Sequence, residues 1–235
     1  MRRTLVLGVL GSALLLAAGA GPARATSECR GLRVCVPVAG PWVVVPHRVA
    51  TPRATVEYQL SCPRRYVVGG LDAELSDRAI NLAFLGALGS PVNPGISTAH
   101  NVVFVGRYVG AVDRTTSFRP HIGCIPARGR GQRIPTAVLR PYPPGQPVVR
   151  RVRTARLRLG RLRVAVACAA GERLMASSDA IGFFTSAPPS QSLARSVTAL
   201  RAVRNGRVVV SGHVGAPVRA VHAVIQVAAL CAGGE

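Results

Sequence analysis

The segment Val56-Glu57-Tyr58-Gln59-Leu60-Ser61-Cys62 has a second version in Leu162-Arg163-Val164-Ala165-Val166-Ala167-Cys168. In both, apolar residues alternate with others and a cysteine closes the run on the apolar side, the pattern of a half-buried β-strand. Cys124 then stands 62 residues after Cys62, and Cys231 stands 63 after Cys168. A marker strand that recurs at one distance from a second cysteine constrains the fold more than any other feature of the chain. It predicts an all-β protein of two tandem β-sandwich-like repeats, each stapled by one disulfide between an early and a late strand.

Six cysteines allow fifteen pairings. The recurrence selects Cys62 with Cys124 and Cys168 with Cys231, which leaves Cys29 and Cys35 to close a tight loop with each other. The alternative, that one of these two reaches into a repeat, stays open at this level. Zinc is the other use for close cysteines, but no histidine stands at ligand spacing beside them, and neither a metal nor a cofactor is expected.

The disulfides agree with the start of the chain. Met1-Arg2-Arg3-Thr4 precedes an apolar run from Leu5 to Ala20, and Ala23-Arg24-Ala25 has the A-x-A form of a cleavage site. A charged start, a short apolar centre and a small-residue exit make residues 1–25 a secretory signal peptide. The run is marginal for a span, which needs about 20 residues, and no later segment is long and apolar enough. The mature chain is therefore expected to be secreted or held at the envelope non-covalently, where disulfides form.

Residues 26–40 make a short N-terminal segment carrying the small cysteine loop. The first repeat covers 41–127, with Trp42-Val43-Val44-Val45 as an entering strand. Residues 128–149, rich in arginine and proline and free of acids, read as an extended linker. The second repeat covers 150–235, and Asn205-Gly206 between apolar runs marks a hairpin whose turn needs positive φ twice. Aligned on the cysteines, Asp72-Ala73 falls on Asp179-Ala180, and Val102-Val103 falls near Val208-Val209. Each repeat holds about 80 residues, a size at which a core alone is marginal. A disulfide closing a loop of this length adds about 4 kcal/mol by chain entropy.

Cys62-Pro63-Arg64-Arg65-Tyr66-Val67-Val68-Gly69-Gly70, closed by Gly123-Cys124, resembles a repeat of secreted proteins from high-GC Gram-positive bacteria. Cys168-Ala169-Ala170-Gly171 and Leu230-Cys231-Ala232 match the same pattern more loosely. The resemblance implies an exported β-rich module and no particular chemistry.

Charge is the remaining signal. All 30 basic residues are arginine, against nine acids. Without residues 1–25 the chain keeps 27 arginines and a net charge of +18, enough to draw it to polyanions at low salt. Residues 128–163 hold eleven arginines and no acid. A hairpin turning at Gly160 would bury Leu157, Leu159, Leu162 and Val164 and set Arg156, Arg158, Arg161 and Arg163 on one solvent face. With Arg150, Arg151 and Arg153 these form the candidate polyanion-binding surface, since guanidinium groups take phosphate and carboxylate bidentately. Anionic partners outside a cell include teichoic-type polymers, acidic polysaccharides, extracellular DNA and phospholipid head groups. Aromatic residues are 4% of the chain, so there is no base-stacking platform for nucleic-acid specificity.

No catalytic motif is present, and no Gly-x-Ser-x-Gly elbow. The expectation is a non-catalytic binding protein. The alternatives are a secreted hydrolase using Asp72, Glu74 and His121, with His121 alternating away from the face of Cys124 toward solvent or a neighbouring sheet, and a purely structural or adhesive module.

Overall fold

The computed structural model describes residues 26–46, 54–86, 100–112, 114–127 and 148–233. The signal peptide expected at 1–25, the turn at 51–53, the loop at 89–95 and nearly all of the 128–149 linker lie outside the described residues. Among the described residues thirteen strands follow one another: β1 (Val36–Ala39), β2 (Trp42–Val45), β3 (Val56–Ser61), β4 (Tyr66–Leu75), β5 (Ile80–Gly86), β6 (Asn101–Tyr108), β7 (Thr116–Pro126), β8 (Val148–Arg156), β9 (Gly160–Ala167), β10 (Glu172–Phe184), β11 (Val197–Arg204), β12 (Arg207–Val214) and β13 (His222–Gly233). A single-turn helix, Gln191–Arg195, and a 3-10 turn, Ala216–Ala220, are the helical pieces among the described residues. The fold is all-β, and the three disulfides are Cys29–Cys35, Cys62–Cys124 and Cys168–Cys231.

One pairing scheme occurs twice. In the first half β7 lies between β4 and the broken strand β1/β2, and β3–β6–β5 form a separate three-stranded sheet. In the second half β13 lies between β10 and β8, and β9–β12–β11 form the other three-stranded sheet. Both halves carry a bulge at the same register, between Val68 and Gly70 and between Leu174 and Ala176, beside Cys124 and Cys231. This shared bulge corrects the sequence alignment. Asp72 pairs with His121, and the corresponding pair in the second half is Ser178 with Ala228, so the counterpart of Asp72 is Ser178 and not Asp179. The extra residue of the second half falls after β12, in the 3-10 turn before β13, because Val102 and Val208 still occupy matching positions opposite β3 and β9.

The two halves share one seven-stranded sheet. β2 pairs with β7 along one edge and with β10 along the other, through Val43 with Gly182 and Trp42 with Phe183. Pro41 comes so close to this seam that a side chain at Gly182 would overlap its ring.

Each three-stranded sheet covers one end of the long sheet. Val56, Tyr58, Phe104 and Tyr108 meet Val43, Val68, Phe118 and Ile122 in the first core, and the Cys62–Cys124 bridge spans the two layers there. Leu162, Val164, Val208 and Val210 meet Phe183, Ile225, Val227 and Ala229 in the second, spanned by Cys168–Cys231. The β3–β6–β5 sheet is covered on its other face too. Val103 points away from the first core yet is only 1% exposed, because Ala176, Ser178 and Ala228 of the second half lie against that face. Small side chains on β10 and β13 let the layers approach, and two hydrogen bonds join Gln59 of β3 to the Gln226 side chain of β13, at 2.6 and 3.0 Å.

Two local expectations fare differently. Asn205 and Gly206 both have positive φ, 49° and 68°, and close the tight β11–β12 hairpin with Arg204 opposite Arg207. Gly160 also has positive φ, 103°, but makes no hairpin. β8 pairs with β13 and β9 with β12, so residues 157–159 form a corner between two sheets. Leu157, Leu162 and Val164 are buried there, whereas Leu159 is 47% exposed: a chain crossing between layers cannot keep strict alternation through the crossing.

Trp42 is the sole tryptophan and lies buried at the seam, so its fluorescence reports on the join between the halves. Urea unfolding followed by Trp42 and by far-ultraviolet circular dichroism is expected to give one coincident transition. Replacing Cys168 and Cys231 by alanine is expected to lower the stability read by Trp42 by about 4 kcal/mol. Two well-separated transitions would show instead that the seam does not couple the halves.

Candidate functional site

The seven arginines of the candidate surface divide by environment. Arg150 is buried: its side chain is 9% exposed, and its guanidinium donates to Glu57 of β3 at 2.6 Å and to the Ser178 hydroxyl at 3.1 Å. It therefore joins the second half to the first and is withdrawn from any ligand. Arg151 makes a two-pronged bond to Glu172. The sequence reading includes both in the candidate polyanion-binding surface, and both are engaged by acids of the fold instead. Their partners lie far off along the chain or across a sheet, where strand alternation gives no sign of them. Arg153, Arg156, Arg158, Arg161 and Arg163 are exposed, and among the described residues none of the five is ion-paired. Arg153 donates to the Ala165 carbonyl at 3.3 Å, bridging β8 and β9. The five follow the edge strand β8, the corner and the outer face of β9, which belong to different sheets.

The acids explain this division. Seven of the nine lie among the described residues, and each is engaged within the fold. Asp77 meets Arg114. Asp179 accepts from Arg201 at 2.7 Å, bridging the long sheet to β11. Burial pushes the Asp179 carboxyl above its ordinary value, and Arg201 opposes that shift. The hydrogen bond from Arg151, helped by the Ala169 N–H, holds the Glu172 carboxyl below the usual carboxylate range. Cys168, Glu172 and Cys231 lie close together, but both sulfurs are bonded in the disulfide and cannot act as thiolate ligands.

Asp72, Glu74 and His121 do come together, beneath residues 26–35. His121 Nε2 lies 2.8 Å from Glu74, and Nδ1 faces Glu28 at 3.9 Å. Asp72 accepts from the Ser27 N–H at 2.6 Å and from its hydroxyl at 3.1 Å. His121 is 6% exposed, which corrects the solvent-facing one of the two expectations for it. Its side of β7 is the outer one, but the cysteine loop covers it. Glycine makes that cover possible. A methyl group at Gly70 or Gly123 would overlap the Glu28 carbonyl oxygen, and at Gly123 also the Cys35 sulfur. The matching positions of the second half are Ala176 and Leu230, turned toward the β3–β6–β5 sheet. With both ring nitrogens facing carboxylates and the site covered, this cluster anchors the N-terminal segment.

The sequence reading passed over Glu28, Glu57, Arg204 and Arg207. Only the last two carried a usable signal, since the Asn205-Gly206 turn places them opposite each other at the head of a hairpin. No protein-family model, no curated protein and no solved structure matches the chain.

Two stability measurements separate these roles. Arg150→Ala leaves Glu57 without its partner at a buried junction and is expected to cost about 3 kcal/mol in urea unfolding. Arg158→Ala, at the exposed corner, is expected to change stability by less than about 0.5 kcal/mol. Equal effects would contradict the division drawn here. Gly70→Ala is expected to lift residues 26–35 and to raise tryptic cleavage after Arg30 and Arg33 at least about tenfold, while the Trp42 transition stays two-state.

Proposed function

We propose that the protein is an exported, non-catalytic module that holds anionic polymers of the cell envelope through Arg153, Arg156, Arg158, Arg161 and Arg163. The observation that carries this reading is the distribution of charge. Every described acid is engaged within the fold, while these five arginines face solvent on β8, the corner after it and the outer face of β9, with no carboxylate paired to them among the described residues. Guanidinium groups so placed bind phosphate or carboxylate in two-pronged fashion. Opposing charge along a polymer then adds contacts with little demand on shape. Three disulfides and the leader-like start of the chain support export, and no helix of the described residues is long and apolar enough to cross a membrane.

The test is titration of the oxidised protein, residues 26–235, with inorganic polyphosphate across a salt series. Affinity is expected to fall steadily as salt rises. The quadruple variant R156Q/R158Q/R161Q/R163Q is expected to bind at least about tenfold more weakly at low salt, with unchanged urea stability. Absence of binding by the native protein at physiological salt would overturn the proposal.

A further inference from the structure

The outer face of the β9–β12–β11 sheet has a composition of its own. The three strands contain no acid in 24 residues. Their register lays out the outward-facing residues in rows: Arg161, His213 and Thr198; Arg163, Ser211 and Leu200; Ala165, Val209 and Ala202; Ala167, Arg207 and Arg204. All are exposed except Val209 and Ala165, which are half-buried. Cations thus stand at both ends of the face, separated by about 13 Å, four residues of strand rise. Between them lies the apolar row Ala165, Val209 and Ala202, and Leu200, 77% exposed, stands beside that row on β11, across the sheet from Arg163. The opposite faces of β9 and β12 are sealed in the second core by Leu162, Val164, Val208 and Val210, and β11 joins that core through Val197.

We infer that this face docks on an anionic phospholipid surface, with Arg161, Arg163, Arg204 and Arg207 meeting phosphate groups and Leu200 entering the head-group layer. The inference rests on the proposed anion-binding reading and names the partner. A soluble polymer charged along its whole length gains nothing from Leu200, Val209, Ala202 and Ala165. A packed lipid surface offers a plane of negative charge with an acyl boundary about 5–10 Å beneath it, which takes up both the cations and the apolar strip. Each arginine near such a surface strengthens binding about fivefold, so four of them with one leucine make a reversible attachment.

The experiment is co-sedimentation of the oxidised protein, residues 26–235, with vesicles of phosphatidylglycerol and phosphatidylcholine in equal parts, and with phosphatidylcholine alone. Inorganic polyphosphate titration runs in parallel. The native protein is expected to partition to the anionic vesicles and not to the zwitterionic ones. R204Q/R207Q is expected to reduce partition about thirtyfold. Leu200→Thr, which keeps a strand-forming residue at an exposed position, is expected to reduce it several-fold and to leave polyphosphate binding unchanged. Polyphosphate binding without vesicle binding overturns this inference and leaves the proposed function standing. Failure of both overturns both. Vesicle binding that ignores Leu200, Arg204 and Arg207 overturns the assignment of this face.

Discussion

The structure depends on a four-residue strand. Trp42–Val45 uses both of its edges, one on β7 and the other on β10, and is the hydrogen-bonded link that makes one sheet of the two halves. The β10 side has only two register pairs, a thin join for a sheet of this width. Its strength comes from what the join brings together. Once β10 is beside β2, the small residues of β10 and β13 close over the outer face of the β3–β6–β5 sheet, and Val103, Gln59 and Glu57 acquire partners there. An isolated half of this size would have a marginal core. Here the first half has its middle sheet buried on both sides.

Charge is arranged around that burial. The arginine and acid at the inter-half junction, Arg150 and Glu57, form a close pair at an interface from which water is largely removed, where loss of one partner leaves the other uncompensated. Asp77, Glu172 and Asp179 each hold an arginine where strands or layers meet, and Glu28, Asp72 and Glu74 fasten the N-terminal segment to β4 and β7. A chain with so few acids uses them at seams. Among the arginines left over, Arg153, Arg156, Arg158, Arg161, Arg163, Arg204 and Arg207 lie on β8, on the corner after it, on the outer face of β9 and on the β11–β12 hairpin. A basic surface of this kind is the remainder of the fold's own pairing, and that remainder is what an anion meets.

How much of this was legible in sequence can be judged residue by residue. The cysteine spacing carried the disulfide pairing, because bridges between matching strands must fall at matching positions. The Asn205-Gly206 turn was legible because its backbone demands two residues that tolerate positive φ. Gly160 has the same backbone preference, yet it turns a corner. Local conformation says that the chain bends but not which strands then pair. His121 was misplaced because alternation reports which side of a strand a residue takes, not whether another segment covers that side. Arg150 was misplaced because its partner lies in the other half, and long-range pairing leaves no periodic trace. The register of Asp72 was misread because a bulge adds a residue to one strand only, which an alignment on cysteines cannot locate.

The arginines of β8 have a further consequence. Among the described residues β8 is the outer strand of the long sheet on the second-half side and pairs with β13 alone. An edge without a partner strand is a template on which another chain could extend the sheet. Arg150, Arg151, Arg153 and Arg156 occupy four of its nine positions. A second copy approaching edge to edge would set Arg153 and Arg156, which have no ion pair among the described residues, against their own counterparts. This strand is thus guarded against growth of the sheet. Neutralising Arg153 and Arg156 would remove the guard, so the charge on this edge keeps copies of the chain apart.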